Sequence, residues 1–159
     1  MSAFVSNVGT GRQHGAMEHS EPPVNLDLVR AYRLARLRGE MVKHDVGGLL
    51  LFDPINIRYA TDATNMQIWT CHYETRCAFI AFEGPVVIFD YADHPHLVEG
   101  LPLVDEYRAI TPFYYFAAGH HAETQAHQFA AQINDLMNTH GGGNRRLAVD
   151  RLSFIATDA

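Results

Sequence analysis

The chain has 159 residues, of which 47% are hydrophobic and 19% charged, so it is long and apolar enough to bury a core as one domain. This composition excludes wholesale disorder, collagen and coiled coil. Eighteen acids against twelve cations give a formal charge of −6, which argues against a general nucleic-acid-binding surface. No apolar run reaches the ~20 residues of a membrane helix. We therefore expect a soluble, cytoplasmic protein without nucleic-acid or membrane partners.

Residues 1–24 mix small and polar side chains without periodicity and contain Pro22-Pro23 near their end. They are predicted to form a flexible or wrapping extension before a domain over residues 25–159.

A helix is predicted from the capping residue Asn25 to about His44, with apolar residues at i, i+3 and i+7. Gly47 ends this segment. The continuous apolar run Leu49–Phe52 indicates a strand that is covered on both sides.

A second, short helix is predicted to begin at Asp53-Pro54 and to run through Tyr59, because Asp caps helices and Pro is favoured at the first helical position. Residues 61–75 form a polar and aromatic loop in this prediction.

A hairpin is predicted from Cys77–Phe82 and Val86–Tyr91, which flank the turn residues Glu83-Gly84-Pro85. Val104–Ile110 is a further predicted strand that ends before Pro112.

The clearest predicted helix is Glu123–Asn138, whose apolar residues share one face. A strand over Leu147–Asp150 and the start of a helix at Leu152 follow. This order predicts an α/β fold with a mixed sheet flanked by helices. Because the chain stops where an element begins, we expect a domain truncated at its C-terminal end.

Two groups of potential metal ligands occur, and both are also explained as polar surface. They are His120, Glu123 and His127 beside the long helix, and Asp90, Asp93, His94 and His96 after a strand. Their spacing favours the surface interpretation. Cys71 and Cys77 match no metal, disulfide or nucleophile signature and are expected to be reduced thiols.

The most informative stretch is Phe52–Arg76, because the loop that leaves the carboxyl end of a strand is the usual ligand edge of an α/β sheet. Its aromatic and arginine side chains are suited to binding a small carboxylated molecule. The alternative is a loop folded over its own domain, with Trp69 packed inward and Arg58 paired with Asp53 or Asp62.

Over residues 25–154 the sequence resembles the amino-terminal domain of the creatinase, prolidase and aminopeptidase P (pita-bread) metallohydrolases, which has a ribonuclease H-like motif. The most specific match is the segment DPINIRYATD over residues 53–62. Its motif positions are Asp53, Pro54, Asn56, Arg58, Tyr59 and Asp62. Thr61–Trp69 is most similar to a bacterial branch that contains dipeptidase-like proteins and dimethylsulfoniopropionate lyases.

The resemblance implies a two-domain homodimeric enzyme. A carboxy-terminal catalytic domain, absent from this chain, would hold two divalent metal ions such as Mn, Co, Zn or Fe. No catalytic residue or metal ligand is therefore expected here. The domain would dimerise and gate access of a small carboxylated substrate at the subunit interface through Arg76, Trp69, His72 and Tyr73, with Arg76 reaching the substrate across the dimer.

Four functions remain open at this point, one of them a histidine-rich metal buffer. The parent enzyme is an Xaa-Pro dipeptidase or creatinase-like hydrolase, or it is a dimethylsulfoniopropionate lyase. In the third alternative, the chain is a free-standing binding module that uses residues 65–76.

Overall fold

The computed structural model describes residues 22–64 and 72–159. Most of the predicted extension over residues 1–24 lies outside these ranges. Its last three residues are exposed and form no helix or strand.

Within the described residues, five strands form one sheet in the order β4-β3-β2-β1-β5. In chain order they are β1 Gly48–Leu51, β2 Cys77–Ala81, β3 Val86–Asp90, β4 Glu106–Ala109 and β5 Leu147–Val149. β1 pairs with β2 and β2 with β3 in antiparallel fashion, whereas the outer pairs β1–β5 and β3–β4 are parallel. The predicted mixed sheet is confirmed.

Helices cover both faces of the sheet. They are α1 Leu26–Lys43, α2 Pro54–Thr61, α3 Tyr115–Ala118, α4 Ala122–His140 and α5 Phe154–Thr157. One core lies between the sheet and α4, and it includes Phe52, Phe89, Phe113 and Phe129. The other lies between the sheet and the helices α1 and α2. Every residue of β2 and β3 is buried because these central strands are covered on both sides.

The fourth strand and the segment that follows it differ from the prediction. The strand expected over Val104–Ile110 is shorter, because the Val104 N–H donates to the Leu101 carbonyl in a turn before β4 begins. The four-residue helix α3 follows Pro112 and was not predicted, since one turn is too short to show an apolar periodicity.

Gly47 and Gly48 allow the segment after α4 to approach β1. A Cβ atom at Gly47 would lie 2.1 Å from the backbone oxygen of Asn144, and one at Gly48 would lie 2.3 Å from the Sδ of Met137. β5 therefore reaches its parallel place beside β1 only with glycine at position 47, whereas a side chain at position 48 would displace the side chains of Met137 and Phe79.

The helix predicted to begin near Leu152 is present as α5. Ile155 packs against the core, whereas Phe154 is 83% exposed. An apolar groove of about 240 Å³ lies between α4, β5 and α5. None of the described helices combines the length and apolarity needed to cross a bilayer.

Candidate functional site at the carboxyl edge of the sheet

One edge of the sheet collects most of the polar side chains that the sequence analysis selected. β1, β3, β4 and β5 all end at this edge and antiparallel β2 begins there, as the strand registers require. Asp53 follows β1, Arg76 precedes β2, Asp90 ends β3 and Asp150 follows β5. Ligands bind most often at this edge in α/β sheets.

Asp53 and Asp150 shape the turn between β1 and α2. Asp53 Oδ1 accepts hydrogen bonds from the backbone N–H groups of Ile55 (2.9 Å) and Asn56 (3.2 Å), which caps α2 as predicted, with Pro54 as its first residue. The Asp150 carboxylate accepts from the Phe52 N–H at 2.8 Å and the Asp53 N–H at 3.0 Å.

Asn56 has a structural role in the same turn. Its side-chain Nδ2 donates to Asp150 at 3.0 Å, so the motif residues Asp53 and Asn56 are both tied to the residue that follows β5. The motif thus stabilises the edge of the sheet.

Asp62 ends α2 in the left-handed backbone region, at φ 63°. Its carboxylate lies 2.7 Å from Arg30 Nη2 and 3.6 Å from Arg33 Nη1 on α1, and this interaction raises the pKa of Arg30. The suggested pairing of Arg58 with Asp53 or Asp62 is wrong. Arg58 is exposed, and Asp62 pairs instead with Arg30 and Arg33 on α1. A local sequence pattern cannot show this pairing, because the two helices are separate segments of the chain.

Tyr59 on α2 contacts α1, since the Arg33 guanidinium is 5.6 Å from the centre of its ring. This cation–π contact and the Asp62 ion pairs join the two helices.

Arg76 is part of the interior. Its Nε lies 2.8 Å from Asp90 Oδ2, and the two side chains are 2% and 3% exposed. The pairing of Cys77 with Phe89 places Arg76 opposite Asp90 one step further along the ladder. Burial, only partly offset by the opposite charge, lowers the pKa of Arg76 and raises that of Asp90.

Tyr73 is 42% exposed and its ring is 5.1 Å from that of Tyr114. The Tyr114 hydroxyl lies 3.3 Å from that of Tyr91, and the Tyr107 hydroxyl donates to the Tyr91 backbone oxygen. Burial raises the pKa of Tyr107 and Tyr114. His72 is exposed beside Tyr73, whereas Trp69 lies outside the described residues.

Sequence reasoning missed three contributors to this edge: Asp90 as the partner of Arg76, the tyrosines that follow Tyr73, and Asp150. Only the register of β2 with β3 reveals the first of these. The other two depend on which strands lie side by side.

Residues 22–64 and 72–159 contain no group of three His, Cys, Asp or Glu side chains able to hold a metal ion. In the first candidate group, His120 stacks on His121 with ring centres 4.0 Å apart. In the second, Asp90 is paired with Arg76 and His94 with Asp93.

Cys77 is buried, and burial raises its pKa, which makes this thiol a poor nucleophile. Cys71 lies outside the described residues. The described residues of this edge form hydrogen bonds and an ion pair that stabilise the turn after β1 and the start of β2.

The family model of the creatinase/prolidase N-terminal domain matches residues 33–156. Two curated proteins named dimethylsulfoniopropionate lyase DddP are similar over 128 residues: the one from Roseovarius nubinhibens is 43% identical and the one from Roseobacter denitrificans 42%. Each match covers 80% of this chain and 29% of the relative, so the chain spans less than a third of their length.

Solved structures share the fold. The N-terminal domain of Xaa-Pro dipeptidase from Lactobacillus brevis has a TM-score of 0.54 at 15% identity, covering 79% of this chain and 83% of that one. The Xaa-Pro dipeptidase from Bacillus anthracis has a TM-score of 0.53 at 14% identity, covering 81% of this chain and 30% of that one. At these identities the likeness concerns the fold alone.

Proposed function

This chain belongs to the creatinase/prolidase N-terminal domain family, and from that membership we propose that it is the non-catalytic amino-terminal domain of a two-domain, homodimeric metalloenzyme. The proposal is supported by the 128-residue match to the DddP relatives, which covers 80% of this chain but 29% of each relative. The two divalent ions and the bond-breaking groups would lie in a catalytic domain beyond residues 25–159.

We propose that the parent enzyme is a dimethylsulfoniopropionate lyase. The observation that carries this choice is the 43% identity to DddP over 80% of the chain. The Xaa-Pro dipeptidases resemble the chain at 14–15% identity, which does not discriminate between reactions within one fold.

In the proposed reaction a base removes a proton from the carbon beside the carboxylate of dimethylsulfoniopropionate. The electron pair of that C–H bond forms a C=C bond, the C–S bond breaks, and dimethyl sulfide leaves with its electron pair. The other product is an unsaturated carboxylate. No residue of this chain takes part in these steps in the proposal.

The proposed task of this domain is dimerisation and control of access to the catalytic domain. Tyr73 and His72 are exposed at the carboxyl edge, where a substrate or a neighbouring subunit can contact them. Arg76 would act as a positioning residue, because its pairing with Asp90 fixes the chain three residues after Tyr73. A part for Trp69 and the cytoplasmic location remain predictions.

The first test uses the chain as it is. Incubated with Mn²⁺ or Co²⁺ and either dimethylsulfoniopropionate or Xaa-Pro dipeptides, it should give no turnover. Clear product formation by this chain would refute the assignment of catalysis to another domain.

The second test uses the complete polypeptide that carries this domain. Headspace gas chromatography should detect dimethyl sulfide from dimethylsulfoniopropionate, while Xaa-Pro dipeptides should remain intact. Hydrolysis of the dipeptides without dimethyl sulfide would favour the Xaa-Pro dipeptidase instead.

Tyr73→Ala in that polypeptide tests gating. We expect KM for the sulfonium substrate to rise about tenfold, the equivalent of ~1.4 kcal/mol, with a smaller change in kcat. Tyr32→Ala, which removes an exposed tyrosine from α1, is the matched control and should leave KM unchanged.

A further inference from the structure

Charge is divided unevenly between two helices and the rest of the chain. α1 and α2 carry six of the twelve cations but only two of the eighteen acids. Their formal charge is therefore +4, which leaves −10 for the rest of the chain. A region of opposite sign on an acidic protein attracts and orients anionic partners. The proposed function does not use this region.

Part of this positive charge holds the two helices together. Arg30 binds Asp27 and Asp62, and Arg33 lies between Asp62 and the ring of Tyr59. These contacts fix the shape of the surface and pair Arg30 and Arg33 with two acids, whereas Arg36 takes no part in them.

A shallow groove opens along this surface. Its lining consists of apolar, tyrosine and arginine side chains without an acid: Leu28, Val29, Tyr32, Arg33, Arg36 and Tyr59. Leu28 and Tyr32, one helical turn apart, are 68% and 63% exposed. Exposed apolar and tyrosine surface beside arginine is typical of protein-binding sites.

We infer that the groove between α1 and α2 binds an acidic polypeptide segment that places an apolar side chain against Leu28 and Tyr32. Arg36 is exposed at the groove and would bind a carboxylate of that segment. The negative charge on the rest of the chain disfavours other docking positions for such a partner. A concave groove also suits a peptide better than the flat surface of a lipid bilayer.

The test is a titration of the isotopically labelled chain with a synthetic helical peptide that has leucines on one face and glutamates on the other, followed by NMR. Shifts should be confined to α1 and α2. The dissociation constant should rise about tenfold in Arg36→Glu and in Tyr32→Ala, and it should also rise with salt. Arg145→Glu, the same charge change at an exposed site beyond the groove, should have no effect.

Four outcomes would overturn the inference. These are equal binding of a peptide with lysine in place of glutamate, equal binding by Arg36→Glu, and shifts outside the two helices. The fourth is failure of the peptide to bind while the chain associates, through Arg36, with another partner. That partner would be vesicles of phosphatidylcholine and phosphatidylserine, or a second copy of the chain detected by analytical ultracentrifugation. Arg36→Gln, which adds no repulsion, should show an intermediate loss if the charge itself matters. All of these measurements concern binding by this chain, so their results do not depend on the reaction of the parent enzyme in the proposed function.

Discussion

Arg76 and Asp90 face each other across β2 and β3 in the interior of the domain, with 2.8 Å between Nε and Oδ2. The pair lies where the chain enters the sheet at the start of β2. Two charges in a buried place are stable only together, because each loses its hydration on folding. The position at which the chain enters β2 is therefore fixed by a charge pair.

Removing one member of this pair should destabilise the domain. We expect Asp90→Asn to lower the free energy of unfolding at pH 7 by about 1–2 kcal/mol, because buried Arg76 loses its ionised partner Asp90, a loss that the relief of Asp90 desolvation partly offsets. Urea denaturation followed by circular dichroism measures the change. Asp93→Asn, at a carboxylate that is 85% exposed, is the control and should change stability by less than ~0.5 kcal/mol.

The double variant Arg76→Met with Asp90→Leu should be less destabilised than Asp90→Asn, since neither buried charge remains. An Asp90→Asn protein as stable as the parent chain would contradict the importance of the pair.

The same pair predicts an unusual pH dependence. Burial raises the pKa of Asp90, so the folded state binds a proton at a higher pH than the unfolded state does. The contribution of this group to stability is therefore largest below its unfolded pKa and is lost as the pH rises through its folded pKa.

Between about pH 7 and about pH 4, the stability advantage of the parent chain over Asp90→Asn should consequently grow as the pH falls. Urea midpoints for both proteins across this range provide the measurement. An advantage that shrinks on acidification would indicate a lowered Asp90 pKa instead.

Asp150 should stabilise the turn between β1 and α2. Asp150→Ala removes the acceptor for the Phe52 and Asp53 N–H groups and for the Asn56 side chain, and we expect a loss of about 2 kcal/mol. Asp150→Asn keeps one acceptor oxygen and should lose less. Thermal and urea unfolding are the measurements, with Asp158→Ala at an exposed position as control.

A loss in Asp150→Ala no larger than in the Asp158→Ala control would show that water replaces these three bonds without cost.

Asp62→Asn should separate charge from backbone conformation between α1 and α2. Asparagine tolerates the left-handed φ of 63°, so the substitution removes chiefly the ion pairs with Arg30 and Arg33. We expect a lower melting temperature at low salt and a difference that nearly vanishes at about 1 M salt, because partly exposed ion pairs are screened.

Differential scanning calorimetry at the two salt concentrations measures the effect. A deficit that persists unchanged at high salt would point to packing rather than charge.

The local elements could be predicted because their signals are local. Asn25 and Asp53 cap helices through their own side chains, and the apolar face of α4 repeats with the helical period. The hairpin of β2 and β3 could be predicted from the turn residues between two apolar runs. The family resemblance also rests on contiguous residues, chiefly 53–62.

The tertiary structure alone decided which of these side chains meet. Asp62 binds arginines about thirty residues earlier, Asp150 binds backbone groups about one hundred residues earlier, and Arg76 pairs with Asp90 instead of lying exposed in a loop. Such contacts depend on the order and register of the strands. These are set jointly by residues that are far apart in the chain. A linear pattern carries the propensity of each segment, whereas burial and charge pairing are properties of the assembled sheet and helices.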